Sequence, residues 1–391
     1  MACSAAPPCM EPWHLPHGCL VADTRSCGDD ELRELRCSTP RSPPRSCAAI
    51  SEALAASGLA VSTVEASPTA ASPRRADEAL RANLRAALGA IDHAALGSAD
   101  EAEARELLVE LLAADVPAQL LGRLGSLGFE SRKDAMWLFK VMLDLAPQLG
   151  VGNQLVEYVS GNQKLCQLLI EGCGRPELAL HHELALRACV RHPELEALLL
   201  KAHAPQRLLD LAGAAPGNFY ASSEALACLR ELLLPAATRG GAAAEYVEAH
   251  FSEFFQGFHG LLITADYAMQ RQSLKLLGEM LLDPTFTRVM QAYVREDGFL
   301  RIHMDLLRDS SSSIRLGAFH VFKIFVANPF KTPRVLQILC KNRRRLLCLL
   351  AGFSVIREND DDFVQDHSSV VLALESLTPL KTESGSPCAS L

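Results

Sequence analysis

The sequence has 391 residues, 49% hydrophobic and 21% charged, with a formal net charge of -8. That balance suits a globular chain with a substantial core, and the acidic excess excludes non-specific nucleic-acid binding, which needs a basic domain to neutralise phosphates. No window approaches the ~18 to 20 apolar residues of a membrane span, so no membrane insertion is expected.

The opening residues lack the charged and then apolar run of a secretory signal. Thirteen cysteines, six of them in the first 50 residues, make an odd count that reads as reduced thiols rather than a disulfide framework. Together these features predict a cytoplasmic protein.

Residues 1–75 mix Pro, Ser, Ala, Arg and Cys without a sustained period, as in Ser38-Thr39-Pro40-Arg41-Ser42-Pro43-Pro44-Arg45. Such a stretch buries too little apolar surface to offset its ordering entropy. It is expected to be a disordered tail with one short helix around Ala48 to Ala56. Ser42-Pro43 and Ser67-Pro68 are candidate phosphorylation sites.

From Asp77 onward Leu and Ala dominate, aromatics make up only 6% of the chain, and apolar residues recur three and four apart. These are marks of successive amphipathic helices. Helices starting near Arg132, His181, Ser222, Arg271 and Ser313 recur at roughly 40 to 50 residues, the period of two- and three-helix repeats. Residues 76–378 are therefore expected to fold as an all-α, armadillo- or HEAT-like right-handed helical solenoid with a long concave surface.

Two of these helices have readable boundaries. The stretch Gln272 to Leu282 presents Leu274, Leu277, Met280 and Leu281 on one face, and Pro284 closes it. In the stretch Ile314 to Ala327 the serines 310–313 offer N-cap hydroxyls, Phe319, Phe322 and Phe325 crowd one side, and Asn328-Pro329 ends the helix. Beyond Phe353 an acidic run, Glu358 to Asp362, precedes Val370 to Leu374, read as a terminal capping helix. Residues 379–391 are expected to be disordered.

Catalytic and metal patterns fail on inspection. His181-His182-Glu183-Leu184-Ala185-Leu186 lacks the second histidine of a zinc-binding His-Glu-x-x-His helix. Cys189 and His192 have no second ligand pair at zinc-finger spacing. Asp360 to Asp362 lack the spaced ligands of a calcium loop, and Gly172-Cys173-Gly174 leads into Arg175-Pro176 rather than a phosphate-binding sequence. The expectation is a protein that is not an enzyme and needs no cofactor or metal. Lys341-Asn342-Arg343-Arg344-Arg345 is the one cluster suited to acidic partners, and it also reads as the solvated face of a helix.

The run Tyr267-Ala268-Met269-Gln270-Arg271-Gln272-Ser273-Leu274-Lys275-Leu276-Leu277-Gly278-Glu279 resembles the calcium-binding protein 39 family of scaffolds. So do Leu306-Leu307-Arg308-Asp309, Ala318 to Lys323 and Val326-Ala327-Asn328-Pro329, with weaker matches back through Arg191-His192-Pro193 to Phe129-Glu130. The resemblance covers about Asp77 to Leu377. It implies an armadillo-like horseshoe whose concave face binds protein kinases or pseudokinases of the sterile-twenty type and stabilises their active conformation in polarity and morphogenesis signalling.

On this resemblance the kinase-contacting Tyr and Arg fall on Tyr267 and Arg271, a neighbouring Lys on Lys275, and an aromatic one repeat earlier on Phe219. The pocket Met that accepts a pseudokinase's C-terminal Trp-Glu-Phe motif falls on Met304. Gln270 and His303 stand where the family has Lys and Met, which lowers local positive charge and changes the pocket wall. The Gly- and Ala-rich surface around Gly240 to Ala244 is also expected to have diverged. The alternative reading is a general armadillo-type adaptor for a non-kinase peptide or a cytoskeletal partner.

Overall fold

The computed structural model describes residues 49–54, 73–95, 101–213, 219–234, 241–353 and 361–378. The remainder of the expected tails, 1–48, 55–72 and 379–391, lies outside the described residues, as do Gly240 and Glu358 to Asp360. The described residues contain helices and turns and no strand.

The chain enters through a short helix α1 (residues 49–54), whose Ile50 and Leu54 are fully buried. It is tied down by Asn83, which donates to the Ala49 carbonyl at 3.2 Å, and by Arg123, which donates to the Leu54 carbonyl.

There follow α2 (Pro73–Ala95), α3 (Glu101–Ala113), α4 (Val116–Arg123), α5 (Phe129–Leu145), α6 (Gly152–Gly161), α7 (Gln163–Gly172), α8 (Ala179–Val190), α9 (Pro193–Lys201) and α10 (Ala204–Gly213). The second half holds α11 (Phe219–Leu233), α12 (Ala242–Ala249), α13 (Phe251–Thr264), α14 (Tyr267–Leu282), α15 (Thr287–Tyr293), α16 (Asp297–Leu306), α17 (Ser312–Ala327), α18 (Pro333–Ala351) and α19 (Asp361–Glu375).

The helices fall into three layers. Helices α3, α6, α9, α12 and α15 touch in succession and form the first, while α4, α7, α10, α13, α16 and α18 form the second. Phe255 and His259 of α13 bridge to Phe299 of α16 within that second layer. The third layer runs α2, α5, α8, α11, α14, α17 and α19, each packed on the next. One helix per layer makes the three-helix unit of an armadillo repeat, so the fold is an all-α, armadillo-like solenoid.

Contacts are densest within the third layer and sparsest within the first, whose helices are also short. We take the third layer, built of the longer helices, as the concave wall that such a solenoid presents.

Hydrogen bonds fix the phase of the repeat. At the α3–α4 corner Asp115 adopts a left-handed backbone, φ 55°, and its carboxylate accepts from Tyr158 of the next repeat at 2.6 Å. The same pairing recurs between His203, also at φ 55°, and Tyr246, 3.3 Å apart; both pairs are separated by 43 residues in sequence.

On the concave side, Asp134 of α5 is almost fully buried and accepts from Arg81 and Arg85 of α2 at 3.1 and 2.9 Å. Asp134→Ala should lower the unfolding free energy by about 2 kcal/mol. That is less than a fully buried pair would lose, because both arginines keep much of their side chains in water. A urea titration of the variant against the parent checks it.

Gly241 and its neighbours depart from expectation. Gly241 takes a left-handed φ of 73° ahead of α12, and Ala243 and Ala244 are buried, so these two alanines belong to the core and not to the surface.

Candidate functional site on the concave wall

The start of α14 positions three of the expected residues. Asp266 accepts from the backbone N–H groups of Ala268 and Met269 at 2.9 and 3.0 Å, a cap that fixes Tyr267 as the first helical residue. Met269, Leu274, Leu277, Met280 and Leu281 are buried beneath, which leaves Tyr267, Arg271 and Lys275 on the exposed face at successive turns. Gln270, the departure from the family's Lys, turns inward and donates to the Leu262 carbonyl at 2.7 Å.

Phe219 opens α11, the adjacent rung. Sequence reasoning missed the company it keeps: Phe129 on α5, Leu180 and Leu184 on α8, and Tyr220 on α11 are exposed along with Phe219 and Tyr267, all six between 45% and 63%. All lie in the first or second turn of four consecutive concave-wall helices. Together they make one apolar stripe along an edge of the wall. Single exposed apolar residues are ordinary, whereas a contiguous set marks an interaction surface.

Beside the stripe runs a ladder of charges. Arg187 of α8 pairs with Glu183 and Glu231, Arg230 with Glu231 and with Glu279 of α14 at 3.0 Å, and Lys275 with Glu279 at 3.9 Å. Burial, followed by a hydrogen bond to Glu224, pushes the Glu183 carboxyl up to about 8 against the pull of Arg187, so near neutral pH it is largely protonated and its contact with Arg187 is a hydrogen bond more than an ion pair.

Arg271 stands apart from this ladder. Among the described residues no acidic group pairs with it, although it is exposed on the same wall. The hydroxyls of Ser313 and Ser311, and then the Arg271 charge, draw the Tyr267 phenol below its ordinary value. Tyr267 thus lies beside the serine run, where α14 packs on α17.

Met304 belongs to a second place, not to this wall. It lies on α16, nearly buried, in the floor of an open groove of about 700 Å³ with Leu346 and Leu349 of α18. Arg308, Arg344 and Arg345 line the rim. Asn342, Arg344 and Arg345 of the basic cluster therefore face the same groove as Met304, while Arg343 turns away to the Leu377 carbonyl at 3.0 Å.

His303 does not shape the groove. It is fully buried and its Nε2 lies 2.7 Å from the Tyr293 hydroxyl, which reaches His259 Nε2 at 3.0 Å on its other side. One hydroxyl proton serves only one acceptor, so one imidazole must donate to the phenol oxygen while the other accepts. A 100° step along the helix separates neighbouring residues, which sends Met304 to the groove and His303 to the core.

The residues of the rejected metal patterns have structural work. His182 is buried against Gly172, Glu183 pairs with Arg187, and Cys189 is buried. Among the described residues no group of three or more His, Cys, Asp or Glu could hold a metal ion, and no helix is long and apolar enough to cross a membrane.

A family described as Mo25-like matches residues 40–378 of the chain. A human protein named calcium-binding protein 39-like is 32% identical across 70% of this chain and 79% of its own length. A Mo25-like protein of Schizosaccharomyces pombe is 33% identical across 70% of this chain and 80% of its own length. Among solved structures, a computationally designed armadillo repeat protein covers 66% of this chain and 98% of that one at 14% identity. Its TM-score of 0.40 is too low to add to the helix stacking already described.

Proposed function

The chain belongs to the Mo25-like family, and from that premise we propose that it is a non-catalytic cytoplasmic scaffold for a protein kinase or pseudokinase of the sterile-twenty type. Its concave wall grips the partner's folded domain. Contacts stronger to the active than to the inactive conformation shift the partner toward activity, since a binding protein moves an equilibrium only by its differential affinity.

The observation that carries this reading is the apolar stripe from Phe129 to Tyr267 with Arg271 beside it. Aromatic residues and an arginine on a rigid wall are the usual anchors of a protein interface, and Arg271 has no acidic partner among the described residues to leave behind. The groove around Met304 has an apolar floor and three arginines at its rim, which suits an aromatic, acidic peptide such as a Trp-Glu-Phe terminus. The same groove would serve the runner-up, an adaptor for a non-kinase peptide or a cytoskeletal partner.

Arg271→Ala should weaken capture of a sterile-twenty-type kinase domain by about 30- to 100-fold, the loss of a hot-spot arginine of roughly 2 to 3 kcal/mol. Met304→Ala should weaken binding of a Trp-Glu-Phe-ended peptide while leaving the kinase domain bound. Titration calorimetry measures both, with circular dichroism to confirm folding. Undiminished binding in both variants would remove these sites. Kinase assays with and without the scaffold decide between the two readings, because an adaptor leaves kinase activity unchanged.

A further inference from the structure

We propose that the serine run between α16 and α17 is a phosphorylation site, with Ser312 the acceptor, whose phosphate is held by Arg271, Arg308 and Arg315 and weakens both partner-binding surfaces together. The proposal rests on the function just argued and names a control over the same surfaces.

The four serines are not equivalent. Ser311 caps α17, accepting from the Ile314 N–H at 3.5 Å, and its own N–H donates to Asp309 at 2.7 Å. Ser313 is half-buried beside Tyr267. Ser312 is exposed at the first position of α17, and no hydrogen bond to its hydroxyl is found among the described residues. Ser310 is exposed as well, but it lies ahead of the helix with its carbonyl held by Arg315 at 3.4 Å, which leaves Ser312 as the exposed hydroxyl on α17 itself.

The segment joins the two candidate surfaces. Its helix α17 packs on α14, and Ser311 and Ser313 lie beside Tyr267, one turn from Arg271 on the concave wall. Four residues upstream of Ser312, Arg308 lines the groove of Met304. Arg315, one turn downstream, donates to the carbonyls of Asp309 and Ser310 at 3.2 and 3.4 Å and keeps its charge beside the run. Neither Arg271 nor Arg308 has an acidic partner among the described residues. The nearby acid is Asp309, whose carboxylate is already engaged by the Ser311 N–H.

In the transfer, the Ser312 oxygen attacks the γ-phosphorus of ATP. A new O–P bond forms, the bond to the β-phosphate oxygen breaks, ADP leaves, and the hydroxyl proton passes to the kinase's base. The product carries close to two negative charges near neutral pH. Guanidinium groups bind phosphate with paired, charge-assisted hydrogen bonds, so Arg271 and Arg308 would be drawn from partner to phosphate.

The test uses the full chain. Incubated with a sterile-twenty-type catalytic domain and ATP, it should take up phosphate at Ser312, mapped by tandem mass spectrometry; an unmodified run from Ser310 to Ser313 overturns the proposal. With phosphoserine installed at position 312, affinity for the kinase domain and for a Trp-Glu-Phe-ended peptide should each fall about tenfold, with Ser312→Ala binding as the parent does. Equal affinity for either probe overturns the shared control.

A third arm needs no partner. In a phosphorus NMR titration, the second ionisation of the phosphoserine, about 6 when unconstrained, should fall by about half a unit or more and recover in part with Arg271→Ala. An unshifted titration overturns the arginine cradle whatever the partner does. Failure of the unmodified chain to bind either probe would instead count against the scaffold reading.

Discussion

Acidification from pH 7 to pH 5 is expected to remove about 3 kcal/mol of unfolding free energy, a large share of what holds a typical domain together. Burial pushes the imidazole of His182 down to about 4, that of His259 to about 4, and that of His303 to about 3, the last helped by the charge of His259. Unfolded histidines take up a proton below about pH 6.5, whereas these three do not while the chain is folded. Their contribution is therefore intact above pH 6.5 and is lost as the pH falls toward 4. Over this interval they account for about 5 kcal/mol.

Glu183 acts in the opposite direction. With its carboxyl pushed up to about 8, it is already protonated in the fold at pH 7. Folding then costs less as the pH drops toward the value at which an unfolded glutamate protonates, which offsets about 2 kcal/mol. Urea unfolding at pH 7 and pH 5 measures the net change, and His303→Met should reduce the histidine part by about a third. Coincident midpoints at the two pH values would contradict the burial of these rings.

Gly172→Ala should be the most damaging small substitution, at about 3 kcal/mol, even though alanine is the better helix former. A methyl group there would sit 2.1 Å from Cε1 and Nδ1 of His182, far inside contact distance. The ring cannot retreat cheaply, since it is buried and packed directly on helix α7. Adding His182→Ala opens the space, so the double variant should recover at least about 1 kcal/mol relative to additivity. Additive losses in calorimetric unfolding would show that the two residues do not meet.

Much of the scaffold was legible before any coordinates. The helices expected near Arg132, His181, Ser222, Arg271 and Ser313 are α5, α8, α11, α14 and α17, offset by one to four residues. They stood out because the concave-wall helices are long and keep their apolar spacing over three or more turns. The first-layer helices α12 and α15, of eight and seven residues, are too short to display a period. The sequence therefore showed a repeat length without showing that each unit has three helices.

The candidate site divides in the same way. Tyr267, Arg271 and Lys275 could be placed on one face because four-residue spacing on a helix is geometry. Phe129, Leu180, Leu184 and Tyr220 could not, since an exposed leucine and a buried one look alike in a list of residues. The signal that could have found them is their recurrence near the start of four consecutive concave-wall helices, α5, α8, α11 and α14. Nor could spacing show that Arg344 and Arg345 meet Arg308 around Met304, because that meeting depends on how α16 and α18 pack.

One consequence of the layered contacts concerns where this molecule gives way. Each rung leans only on its neighbours, so the arch has no keystone, and fraying begins at the outer turns and works inward. Helices α11 and α14 stand away from both ends, with α17 and α19 on one flank and α2, α5 and α8 on the other. Whatever is held there sits where the structure loosens last.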